Sequence, residues 1–250
     1  MPLGHAIAIL AAGMGAGIIN AIAGSGSLIT FPTLLALGYD PVVANVSNTV
    51  GLVPGAFSGA FGYRAELAGQ GGRIRSLGTA SAAGGLTGGA LLLALPGDVF
   101  ERVVPVLILV ACGLILLQPR LAARRLAAGG APKRHGGPAL HAAIFTTGIY
   151  GGYFGAAQGV ILIALLGIFL DENVQRLVGL KNALAGVVNG VAALLFVAVA
   201  PVAWAPAGLL AAGSALGGQI GAQFGRRIPA RPLRIFIVVV GTAVAVRLML

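Results

Sequence analysis

Acidic side chains are nearly missing from this sequence: there are six Asp and Glu among 250 residues, and charged residues of both signs make up only 9%. Soluble domains carry about 25% charged residues, so this chain has too little charge to cover a core in water. Polar faces at helical or strand spacing are lacking too, since the stretches Val103 to Leu117 and Ala183 to Ala200 are apolar all round. Cys112 is the one cysteine and lies inside an apolar stretch, which excludes an intramolecular disulfide and a cysteine metal cluster and leaves packing as its expected role. His5 is the only His, Lys, Arg, Asp or Glu before Asp40. The basic start of a cleaved signal is therefore absent, and the N-terminal stretch reads as the first membrane segment.

What is present is apolar surface and positive charge. The composition is 58% hydrophobic with mean hydropathy +0.97, and 16 Lys and Arg give a formal net charge of +10. In a soluble protein such a balance raises nucleic-acid binding. Here the basic residues lie between apolar segments with no interleaved aromatic platform, as topology determinants do, so no nucleic acid is expected.

Eight apolar segments can be drawn, at 5–37, 41–61, 77–95, 103–118, 140–170, 177–199, 207–225 and 233–249. The first and fifth would make helices of about 45 to 50 Å, against a bilayer core about 30 Å thick. Breakers stand in the middle of each: Gly24-Ser25-Gly26-Ser27 and Gly155-Ala156-Ala157-Gln158-Gly159. The resulting half-helices, about 12 to 17 residues long, suit re-entrant hairpins better than successive full crossings.

Three loops, 62–76, 119–139 and 226–234, hold 12 of the 16 basic residues. If all eight segments crossed, the third cluster would lie across the membrane from the other two, against the tendency of Lys and Arg to stay cytoplasmic. Six spans plus two hairpins place all three clusters in the cytoplasm and Asp40, Asp98 and Glu101 outside. The expected fold class is thus an all-α integral membrane protein of two inverted repeats, each a broken re-entrant hairpin plus three transmembrane helices. The expected boundaries are a first repeat at 1–118, a cytoplasmic linker at 119–139 and a second repeat at 140–250. Gly24-Ser-Gly-Ser-Leu matches Ala156-Ala-Gln-Gly-Val in position, and Asn48 falls opposite Asn182.

Glycines recur every four residues at 51, 55 and 59, at 84 and 88, and at 213, 217, 221 and 225. Such bare faces let helices approach closely in lipid and are read as packing surfaces. Gly13-Met-Gly15-Ala-Gly17 and Gly24-Ser-Gly26 do not follow a strand and lack the partners of a phosphate loop. No Ser-His-Asp set, metal-ligand cluster or pair of intramembrane carboxylates occurs, so the chain does not read as an enzyme, and no cofactor or metal is expected.

The hairpin tips carry more chemistry. A half-helix that starts inside the membrane points free N–H groups and the positive end of its dipole into the protein, and such ends attract anions. The candidate substrate-binding residues are Gly24, Ser25, Gly26 and Ser27 at the first tip and Gln158 and Gly159 at the second, with Asn48, Lys181 and Asn182 from the spans that follow. The bland alternative is that the small residues only permit a tight turn. Asn45, Ser47 and Thr49 cluster with Asn48. Lys181 is the only charge between Arg176 and Arg226; it either faces the site or snorkels to the interface. Asn189 reads as a helix–helix hydrogen bond.

At these residues the sequence resembles the TauE/SafE family of bacterial sulfite and organosulfonate exporters, over nearly the whole chain. The resemblance is carried by Asn20-Ala-Ile-Ala-Gly-Ser-Gly-Ser-Leu-Ile-Thr-Phe-Pro32, Leu37-Gly-Tyr-Asp-Pro41, Ala44-Asn-Val-Ser-Asn-Thr49, the weaker Gly152-Tyr-Phe-Gly-Ala-Ala-Gln-Gly159, and Gly225-Arg-Arg-Ile-Pro229 with Arg231 and Arg234. Ser25 and Ser27 stand where the family often has glycine, and Gln158 interrupts the second glycine run. The resemblance implies export of a small sulfur oxyanion or sulfonate by a multi-pass protein of the bacterial plasma membrane. A passive anion channel and a membrane scaffold without transport are the alternatives. The expected partners are a small anionic substrate and the lipid bilayer; a proton or sodium as coupling ion, and a homo-oligomer, are left to test.

Overall fold

The computed structural model describes residues 1–127, 137–224 and 230–249, and all regular structure among them is helical. The helices are α1 (Leu3–Ile22), α2 (Ser27–Ala36), α3 (Pro41–Gly62), α4 (Arg64–Leu67), α5 (Gly71–Ala94), α6 (Gly97–Ala127), α7 (Gly137–Tyr153), α8 (Gln158–Phe169), α9 (Val174–Val199), α10 (Trp204–Phe224) and α11 (Ala230–Met249). Leu3–Ile22, Gly71–Ala94, Gly97–Leu117 and Val174–Val199 are long and apolar enough to cross a membrane.

The two breaks fall where the sequence places them, between α1 and α2 and between α7 and α8. Their arms are less equal than expected. The α1 arm has 20 residues and α2 has 10, so α1 alone could span a bilayer, while α7 and α8 have 17 and 12. The expected linker is also partly helical, because α6 runs on to Ala127 and α7 begins at Gly137. Lys133, Arg134, Arg226 and Arg227, on which the charge argument partly rests, lie outside the described residues.

The glycine faces bring helix backbones together and fix helix directions. A Cβ at Gly17 would lie 2.3 Å from the Ser214 carbonyl oxygen, and one at Gly13 would meet Leu210 at 3.0 Å, so α1 and α10 run parallel. Gly51 meets Leu210 and Gly55 meets Ser214, which makes α3 parallel to both. In the same way Gly84 and Gly88 oppose Phe145 and Ile149, and Gly85 and Gly89 oppose Val188 and Phe196, so α5, α7 and α9 are parallel. The two groups meet head to tail: Gly186 and Gly190 face Phe57, whereas Gly179 faces Tyr63.

The packing partners of the two halves correspond. α1 packs on α10 as α7 packs on α5, α3 packs on α10 as α9 packs on α5, and α2 lies against α3 and α11 as α8 lies against α9 and α6. Two large apolar clusters fill the bundle, each drawing residues from both halves. Phe31, Phe100, Tyr153 and Phe154 stack edge to face around α2, with ring centroids 5.3 to 6.4 Å apart. Leu162, Leu166 and Leu170 of α8 pack on Leu177, Leu180 and Leu184 of α9.

One end of the bundle is tied by charge. Glu172, between α8 and α9, accepts from Arg73 Nη1 at 2.6 Å and from Arg176 Nε at 2.8 Å. The hydrogen bond from Arg73, then that from Arg176, holds the Glu172 carboxyl below its ordinary value against the opposing effect of burial.

Candidate functional site

Both breaks begin with the same helix ending. The N–H groups of Ala23 and Gly24 both donate to the Ile19 carbonyl, at 2.7 and 3.1 Å, and those of Phe154 and Gly155 both donate to the Tyr150 carbonyl at 3.0 Å. Gly24 and Gly155 take left-handed φ values of +80° and +77°, which a side chain resists. The backbone therefore pairs Gly24 with Gly155, one residue earlier than the sequence match to Ala156. Tyr150 fixes the second break further, donating its hydroxyl to the Ala156 carbonyl at 2.5 Å.

The breaks touch each other inside the bundle. Gly159 N–H donates to the Gly24 carbonyl at 3.0 Å. A Cβ on Gly24 would lie 2.3 Å from Gly159 Cα, and one on Gly159 would lie 2.4 Å from Gly24 Cα. Gly26 serves differently: a Cβ there would lie 2.5 Å from the Ala16 carbonyl oxygen, so it seats the start of α2 against α1. Its N–H is held by Asn20 Oδ1 at 3.3 Å.

Around this crossing two groups able to donate are unpartnered, an amide NH2 and a hydroxyl. Gln158 Nε2 and the Ser25 hydroxyl are buried with no hydrogen-bond partner, their residues being 3% and 1% exposed. They stand at the N-termini of α8 and α2, where the helix dipole is positive. Ser27, the first residue of α2, is half-buried beside them.

Lys181 and Asn182 reach the crossing from α9. The Lys181 ammonium donates to the carbonyls of Asn20 at 2.6 Å and Ala21 at 3.3 Å, and Asn182 Nδ2 donates to Ala21 at 3.1 Å. Lys181 is 1% exposed and points at the negative end of α1 instead of snorkelling outward. A Cβ on Gly159 would lie 3.0 Å from Lys181 Cδ, so the lysine stem backs the crossing itself.

Asn48 meets the first break through Thr30, whose hydroxyl also lies 3.4 Å from the Gly26 carbonyl. Asn48 Oδ1 accepts from the Thr30 hydroxyl and ties α2 to α3. Ser47 accepts from Ala203 N–H at 2.8 Å, toward the start of α10. Asn45 instead caps the other broken helix, donating Nδ2 to the Tyr153 carbonyl at 2.9 Å. Sequence reasoning missed Asn20, Thr30 and Tyr150 as site residues. Asn20 and Thr30 lie inside the quoted motif, which was the available signal; Tyr150 lies outside any motif.

Helices of spanning length and apolar composition, with two helix breaks that meet inside the bundle, give the chain the make-up of a multi-pass membrane protein. This chain belongs to the sulfite exporter TauE/SafE family, whose model matches residues 9–248. It is similar to the "Probable membrane transporter protein YfcA" of Escherichia coli strain K12, 25% identical over 235 residues covering 94% of this chain and 86% of that protein. "Probable membrane transporter protein ORF9" of a Sinorhizobium species is 26% identical over 245 residues, covering 94% and 88%. A "Probable membrane transporter protein" of Haemophilus influenzae is 26% identical over 214 residues, covering 84% and 81%. No solved structure matches the chain.

Proposed function

We propose that the chain is a secondary transporter that exports small sulfur-containing anions, sulfite or organosulfonates, bound where the breaks before α2 and α8 meet. The observation that carries this reading is a pair of unsatisfied groups that can both donate at helix N-termini. The Ser25 hydroxyl and Gln158 Nε2 are buried without partners at two helix N-termini. Buried donors left unpaired cost about 1 to 3 kcal/mol each, and an oxyanion would satisfy both. The sulfur chemistry rests on the family description alone.

In this reading residues 1–118 and 140–250 are inverted repeats joined by a cytoplasmic linker at 119–139. The opposite directions of α3 and α9 and the matched packing of the two halves support it. Because α1 and α3 are parallel, α2 has to bring the chain back to the side from which α1 entered, as a re-entrant arm does. The end bearing Arg64, Arg73, Arg75 and Arg176 is cytoplasmic by the distribution of positive charge, and the protein is a multi-pass protein of the bacterial plasma membrane. Contact between Gly24 and Gly159 closes the crossing, which favours a gated carrier over a continuous pore.

Uptake of labelled sulfite into proteoliposomes, with and without imposed ion gradients, tests this. Expected is gradient-dependent flux that falls in Ser25→Ala and Gln158→Leu while both variants unfold at the wild-type temperature. Folded protein with no flux under any gradient would overturn the reading.

A further inference from the structure

The two broken helices end in opposite chemistry. At the end of α1, the Asn20 and Ala21 carbonyls receive a cation that belongs to the chain, the Lys181 ammonium. At the end of α7, the donor to the Tyr153 carbonyl is the neutral Nδ2 of Asn45, at 2.9 Å. The other atom of that amide, Asn45 Oδ1, is buried without a partner in a residue 1% exposed. It can only accept, whereas the unpartnered groups at the tips, on Ser25 and Gln158, can both donate.

The geometry points to a binding site for a monovalent alkali cation at the C-terminal end of α7, with Asn45 Oδ1 and the Tyr153 carbonyl as ligands. A helix C-terminus carries about half a negative charge, which a cation there would offset. A carbonyl oxygen has two lone pairs, so that of Tyr153 can accept from Asn45 Nδ2 and still ligate an ion. The first half of the molecule shows what such an end attracts, since the chain places its only buried ammonium among the described residues on the equivalent end of α1. With two neutral oxygens and no carboxylate in the set, a monovalent ion leaves less uncompensated charge in this buried place than a divalent one. Calcium and magnesium sites are built around carboxylates, and no grouping of three His, Cys, Asp or Glu occurs among the described residues. An amide does not titrate, so the site does not take a proton.

Tyr153 immediately precedes the break that leads to Gln158, and Asn45 belongs to α3, in the other half. A cation held between them would fix the position of the α8 N-terminus, where the anion is proposed to bind. That coupling role rests on the transporter reading; the site itself does not.

The test uses the purified full chain in detergent without any sulfur anion, with sodium or potassium gluconate replacing choline gluconate at constant ionic strength. The alkali cation is expected to raise the unfolding temperature of the wild type. Asn45→Leu should lose this response, and Asn45→Asp, which adds a charge to the ligand set, should reach half-saturation at about tenfold lower cation concentration. No cation-specific rise, or one unchanged in Asn45→Leu, would overturn the site. If Asn45→Leu does not fold, an unchanged half-saturation in Asn45→Asp overturns it equally. A cation response in protein that moves no labelled sulfite would defeat only the transporter reading, and sulfite flux without a cation response would defeat only this site.

Discussion

Gly159 donates its backbone N–H to the carbonyl of Gly24 at 3.0 Å, joining two chain breaks that are 135 positions apart in sequence. The hydrogen bond requires two bare Cα atoms face to face. A methyl group on either would sit closer than 2.5 Å to the other backbone.

Gly24→Ala and Gly159→Ala should therefore each destabilise the protein, by about 1 to 3 kcal/mol from overpacking, and lower flux. Gly38→Ala is the control: Gly38 also has a left-handed φ, +86°, but nothing lies within 4 Å of its Cβ position. Thermal unfolding of the three variants checks this. If Gly38→Ala loses as much stability as Gly24→Ala, backbone strain alone accounts for the glycine and the contact does not matter.

Lys181→Met should lose folded stability as well as substrate affinity. Removing the ammonium leaves the Asn20 carbonyl, and part of the Ala21 carbonyl's partner set, without a donor in a buried place, at a cost of about 1 to 3 kcal/mol. Lys181→Arg keeps the charge and should recover part of both. Unfolding temperature and sulfite binding measured on the same preparations separate the two effects. A Met variant as stable as wild type would show that the ammonium does not cap α1.

Cysteine labelling in a Cys112→Ser background tests the orientation. Positions 39, 98 and 201 should react from outside the cell, and positions 71 and 229 only after the membrane is opened. Reaction of 71 and 229 from opposite sides would refute the inverted-repeat reading.

Glu172 gives a pH signature. Its carboxyl is held below the ordinary 4.5 by Arg73 and Arg176, so its contribution to stability is full above that value and lost as the pH falls through the folded-state value below it. The stability difference between wild type and Glu172→Gln should be constant from neutral pH down to about 5 and shrink only under more acid conditions. A difference that already declines near neutral pH would assign the effect to another group.

Much of this molecule was legible in its sequence because lipid imposes strong local rules. Scarce charge, apolar runs of spanning length and glycines at four-residue spacing are properties of short stretches, and they placed the helices, the packing faces and both breaks. The overlong first and fifth segments announced that something must interrupt them, and Gly24 and Gly155 do so through a left-handed turn that a glycine signals locally. Arm length was less legible: nothing in composition makes α1 twice as long as α2, because the register at which each arm stops depends on what it packs against.

What only the tertiary structure decided is which polar groups meet. Asn48 and Lys181 look alike in sequence, each a polar residue early in a span after a broken helix. Yet Asn48 Oδ1 accepts from Thr30 close by in the same half, and Lys181 reaches across to the end of α1 in the other half. Asn45, passed over as one of a cluster, caps α7 from the opposite direction. The pairings of Lys181 with Asn20 and of Asn45 with Tyr153 join residues more than 100 positions apart, in a bundle where α3 and α9 pack antiparallel. A helix presents its side chains by local rules, but a buried donor finds its acceptor only where two elements cross.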